Sequence, residues 1–158
     1  MTPTPEGWSN ELSRRHRTAL MVVIGFLILD IVLLAITYLA ADRLFRPRDP
    51  SLTMALWIAI LIFGLGAFVL RRTRFAPMRL KDIAALKGTA GLLKTLQDTT
   101  LQIACIGGAI ALMGFMLVIL NGDWTYMLRA AGVSAIVLIY CFPFRSAWER
   151  AARQLSSN

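Results

Sequence analysis

Asp30 is the residue in this chain whose type and place most call for chemistry, because it falls near the middle of an apolar run, Ala19 to Ala40, that is almost free of other charge. A carboxylate at bilayer depth costs about 2.5 to 3.5 kcal/mol on insertion scales, so some group is expected to compensate it. Two readings stay open. In one, Asp30 is a proton or cation site, the use to which intramembrane acids are most often put. In the other it is a hydrogen-bonded acid facing the interior of a helix bundle, joined to a hydroxyl such as Ser134 and serving packing specificity. A conduction path needs several polar groups in series, and the same run adds only Thr37 and Tyr38, both near its far end.

Arg129 is the second candidate for a polar site at membrane depth. It stands five residues into the apolar run Trp124 to Phe144, where its long stem lets the charge reach the outer interface or meet Asp42 or Asp123. Pairing with Asp30 would require spanning roughly a turn or two of helix in depth. Cys105 and Cys141 are expected at similar depth near the cytoplasmic ends of neighbouring helices. With His16 the single histidine and no further ligand types nearby, they read as packed free thiols and not as a metal or redox site. No nucleophile and base pairing, metal cluster or cofactor motif accompanies these residues. The expectation is a protein that is not an enzyme, with no catalytic, cofactor-binding or metal site.

The elements that must position these side chains are four apolar runs: Ala19 to Ala40, Leu52 to Leu70, Leu101 to Leu120 and Trp124 to Phe144. A bilayer-spanning helix needs roughly 20 apolar residues at 1.5 Å of rise each, and every run has that length. The whole chain of 158 residues is 57% hydrophobic and only 16% charged, against about 25% charged in soluble domains. The fold expected is all-α, a polytopic membrane protein of one domain with four transmembrane helices arranged as two antiparallel hairpins. Arg14, Arg15 and Arg17 before the first run resemble the basic region of a targeting signal. The run of 22 residues exceeds a signal core of about 7 to 15, so an uncleaved anchor is expected.

Lys and Arg counts orient the bundle, since cytoplasmic segments carry the excess. With both termini and the central connector inside, thirteen lie inside and four outside. The resulting plan is a cytoplasmic segment 1–18, helices at 19–40 and 52–70 around an outer loop 41–51, a basic connector 71–100, helices at 101–120 and 124–144 around an outer turn 121–123, and a cytoplasmic tail 145–158. A net charge of +8 follows from basic residues bordering the apolar runs, which fits anionic lipid headgroups better than nucleic acid. In the connector, Leu80, Ile83, Ala84, Leu86, Ala90, Leu93 and Leu96 recur near helical spacing between lysines, so it either lies in the membrane interface or extends the third helix, with a break near Gly88 or Gly91. Trp8, Trp57, Trp124, Tyr126, Tyr140 and Trp148 fall mostly near helix ends, where amphipathic rings anchor at headgroup level.

Small residues mark the third helix. Ala104, Gly107, Gly108, Ala111 and Gly114 sit at the spacing that lets helix backbones approach closely, serving the hairpin with the fourth helix or a homo-oligomer. Gln102 at its inner start reads as an interface residue.

The glycine- and alanine-rich third helix, the Asn121-Gly122 turn, and the ending Cys141-Phe142-Pro143-Phe144-Arg145 with Trp148-Glu149-Arg150 resemble small uncharacterised four-helix integral membrane proteins of bacteria, over roughly residues 99–158. Their helix plan is loosely similar to the two-hairpin proteolipid subunits of rotary ATPases. That likeness breaks at the chemistry, because runs two, three and four hold no mid-depth acid and the short turns fall outside, so no ion-binding carboxylate is carried over. The resemblance and the topology together imply a multi-pass protein of the bacterial inner membrane, N- and C-termini cytoplasmic. Its expected role is that of a non-catalytic accessory or structural subunit, with a membrane protein or a second copy as partner; the alternative is a proton or ion pathway component using Asp30.

Overall fold

The computed structural model describes residues 5–44, 49–74 and 77–143. Trp148 and the basic tail lie outside the described residues, as do Arg46, Pro47 and Arg48 of the outer loop and the side chains of Trp8, Asp42, Arg79, Lys81 and Lys87. The described residues form four helices: α1 (Pro5–Leu44), α2 (Pro50–Arg74), α3 (Pro77–Asn121) and α4 (Thr125–Tyr140). Among the described residues, three helical segments are long and apolar enough to cross a membrane, Leu12–Ala40, Pro50–Arg74 and Gly91–Asn121.

The helix ends follow from local chemistry. Pro50 opens α2 at a position where its missing N–H costs nothing, and Asp49 Oδ1 accepts the backbone N–H groups of Ser51 (3.0 Å) and Leu52 (3.2 Å). At the other end of the bundle's longest helix, Gly122 takes φ +71° and its N–H donates to Val118 O at 2.7 Å, the left-handed close that glycine permits. Asp123 then accepts from the backbone N–H (2.9 Å) and hydroxyl (2.8 Å) of Thr125, and α4 begins. The fourth helix is shorter than its apolar run. Pro143 disfavours helical geometry in the residue before it, and α4 stops at Tyr140 after 16 residues, about 24 Å at 1.5 Å per residue.

Most of the basic connector is helical. Its first residues complete α2 and the rest open α3, which is interrupted at Gly88 (φ 65°, ψ −173°), a conformation reserved for residues without a Cβ. From Gly91 the helix runs unbroken into the apolar part of α3, with Leu92, Leu93 and Leu96 buried and Lys94 and Asp98 exposed.

α3 is the centre of the arrangement. It packs along α1, α2 and α4, whereas α1 and α2, although consecutive, scarcely touch each other. Among the described residues, three apolar clusters join the helices. Ile60 and Ala67 of α2 meet Ile103, Ile110 and Leu117 of α3 and Ala130 and Val137 of α4. Leu33 of α1 meets Ala111 and Val118 with Met127 and Ala131. Val23 of α1 meets Ala104 and Leu138.

The distribution of polarity is inverted relative to a water-soluble bundle. Asp30, Thr37, Thr99, Thr100 and Ser134 are buried, while Ile31, Leu39, Leu65 and Ile136 are each at least two-thirds exposed, Leu39 at 81%. Exposed apolar surface on this scale is compatible with a membrane location.

Candidate functional site

The glycines of α3 build the site by removing side chains where other groups must enter. A Cβ at Gly108 would overlap the Phe26 ring of α1, and a Cβ at Gly114 would overlap the Cβ of Ala130 on α4. At Gly107 it would stand 2.9 Å from Leu138 Cγ. The small-residue face is therefore shared: Gly108 admits α1, and Gly107 and Gly114 admit α4. Ala104 and Ala111, both fully buried, sit where α1, α3 and α4 meet.

This close approach brings three polar groups from three helices together. Ser134 Oγ of α4 lies 2.7 Å from Asp30 Oδ2 of α1 and 2.9 Å from the backbone oxygen of Gly107 in α3. Asp30 is 5% exposed and Ser134 fully buried. A hydroxyl carries one proton, and a backbone carbonyl only accepts. Both contacts become hydrogen bonds when Ser134 donates to Gly107 O and Asp30, as the neutral acid, donates to Ser134 Oγ. Asp30 Oδ1 is buried and no described residue donates to it. As the carbonyl oxygen of a neutral acid it costs less to leave unpaired there than as half of a charged carboxylate.

Of the partners weighed from the sequence, Ser134 is the one placed on Asp30. Arg129 is exposed near the start of α4, and no ion pair joins it to Asp30. Thr37 is buried yet donates to Leu34 O in its own helix (2.9 Å), and Thr99 and Thr100 likewise donate to Thr95 O and Leu96 O. Tyr38 is exposed, with its ring edge-on to Trp124 at 5.4 Å. The buried hydroxyls therefore satisfy themselves locally and do not extend the Asp30 cluster toward either end of the bundle.

Cys105 is exposed and Cys141 buried, and both are free. Cys141 Sγ lies 3.7 Å from Thr100 O, so the two thiols face different surroundings. Gln102 is exposed. Among the described residues no three His, Cys, Asp or Glu side chains are grouped to hold a metal ion.

Contacts made by His16 and Arg71 were not anticipated from the sequence. His16 Nε2 approaches Pro143 O at 2.6 Å, which requires the ring proton on Nε2 because the carbonyl can only accept. Arg71 lies over the Tyr140 ring at 4.1 Å, and Tyr140 stacks on Phe68 at 4.5 Å. In each case the residues lie at the same end of the bundle, so matching depth was the available signal; which helix face each occupied was not. Compared with protein-family models, curated proteins and solved structures, the chain matches none.

Proposed function

We propose that this chain is a multi-pass protein of the bacterial inner membrane, with both termini cytoplasmic, that acts as a non-catalytic accessory or structural subunit of a membrane assembly. The observation that carries the membrane reading is the inverted polarity: hydroxyls and a carboxyl inside, large aliphatic side chains outside. The structural role is supported by the Asp30 cluster, which ties three helices at one point and whose neighbouring hydroxyls are spent on their own helices. Anionic lipid at the basic connector and a membrane protein or second copy are the partners proposed. The orientation rests on the basic residues and is tested by reporter fusions in the connector and at the C-terminus; a reporter active outside overturns it. Purification in mild detergent with native mass spectrometry tests the subunit role. A complex of fixed stoichiometry supports it, and repeated recovery of a lone monomer counts against it.

A second reading, a proton or ion pathway through Asp30, is favoured by the unpartnered Oδ1 alone. It is tested by flux in proteoliposomes. Unchanged proton or ion flux in Asp30→Asn removes it, because the amide keeps the donor toward Ser134 but cannot exchange a proton.

A further inference from the structure

An apolar groove of about 210 Å³ runs between α2 and α4, walled by Ile60, Gly64, Phe68, Val133, Ile136 and Tyr140. It exists because Gly64 has no side chain: a Cβ there would just reach ordinary contact with Val133 Cγ1 at 3.4 Å. Its walls are apolar throughout, which suits a hydrocarbon chain. At one end it closes on the Phe68 and Tyr140 pair, and the guanidinium of Arg71 covers the Tyr140 ring. Arg72 and Arg74 complete the same last turn of α2. An occupant of this groove thus has an apolar chain along α2 and α4 and meets the Arg71 guanidinium where the apolar walls end.

We propose that the groove is a binding site for one phospholipid with an anionic headgroup, its acyl chain between α2 and α4 and its phosphate at Arg71, within the basic last turn of α2. Planar guanidinium donors match phosphate oxygens in pairs, and stacking on Tyr140 fixes one of them in place. The site faces the leaflet in which anionic lipids and basic protein segments meet, given the orientation proposed above, on which this assignment rests. Gly64 sets the depth of the groove and the arginines set the headgroup preference.

The two parts separate by experiment. Full-length protein in mild detergent is titrated with phosphatidylglycerol or phosphatidylcholine of identical acyl chains, and bound lipid is counted by native mass spectrometry. The anionic lipid is expected to bind about tenfold more tightly, in line with the several-fold gain per basic residue near a charged surface. Arg71→Ala/Arg72→Ala/Arg74→Ala is expected to bring the two lipids within about twofold of each other, and Gly64→Leu to weaken both alike. Circular dichroism confirms that each variant keeps its helix content. Equal binding of the two lipids by the native chain overturns the proposal, as does a preference that survives the triple substitution. A dimer that forms without lipid and is lost in Gly64→Leu would assign the groove to a second copy and also overturn it. Flotation with vesicles of phosphatidylcholine alone and with added phosphatidylglycerol keeps the membrane reading separate. Failure to float with either removes that reading, whereas flotation with both and no headgroup preference removes only the lipid site.

Discussion

α1 and α2 each carry a span apolar enough to cross a membrane, yet the bundle holds them in opposite ways. α1 is fixed by shape and polarity together: Phe26 enters the notch at Gly108, and Asp30 reaches Ser134 and, through it, the backbone of Gly107. α2 buries only Ile60 and Ala67, leaves a groove against α4, and is tied at its ends by Asn121 to Thr53 (3.2 Å) and by Arg71 and Phe68 on Tyr140. The difference shows what gives a helix a unique seat when its surroundings are as apolar as itself. Apolar contact with a neighbouring helix is then no better than contact with hydrocarbon, so notches and hydrogen bonds must specify position. α1 has both at mid-length; among the described residues α2 has its hydrogen bonds and ring contacts away from its middle, at Thr53 and Trp57 on one side and at Phe68 and Arg71 on the other.

The contrast breaks most severely at the glycines. Gly114→Val forces a Cβ onto Ala130, which is attached directly to backbone and cannot rotate away, so a loss of about 3 kcal/mol is expected, read as a lower unfolding midpoint in detergent. Gly108→Ala should cost nearly as much, about 2 kcal/mol, and be substantially recovered by Phe26→Leu if the ring is what the notch holds. Failure of that second change to recover stability would separate α1 from its proposed seat. The polar lock is the next test. Asp30→Ala should lower stability by about 1 to 2 kcal/mol, whereas Asp30→Asn, which can still donate to Ser134 Oγ, should stay within about 0.5 kcal/mol. Equal losses in the two variants would contradict the neutral-acid arrangement. Thr53→Val removes the outer tie of α2 to Asn121 and should cost about 0.5 kcal/mol. The smallest effects belong to Gly64→Ala, where the groove has room, and to exposed Arg129→Ala. Both should fall within about 0.5 kcal/mol of the native chain, and a larger loss at Arg129 would mean that it has a partner in the assembled protein.

Much of the helical plan was legible before any coordinates, because helix signals are local. The Asn121-Gly122 turn acts on its own backbone within a few residues, and the apolar run lengths report directly on what can span a bilayer. The length of α4 was less accessible: its apolar run continues to Phe144, but Pro143 ends the helix first. The candidate site was only half legible. Asp30 announces itself by type and depth, and Ser134 was one of few hydroxyls at a matching level. The Gly107 carbonyl could not be named, because every residue has one and only packing selects which is approached.

The sequence by itself determined four apolar helical runs, the weight of positive charge around them and one acid set deep among apolar residues, but not the helix starts: α1 begins at Pro5 and α3 at Pro77, well ahead of their apolar runs. Only the tertiary structure decided that α3 is central, that α1 docks on α3 and α4 and scarcely meets α2, and that a groove opens beside Gly64. The reason is that a small-residue face permits close approach without naming the neighbour. Phe26 at Gly108 and Ala130 at Gly114 make that choice through steric fit across long stretches of chain, which composition and spacing do not encode.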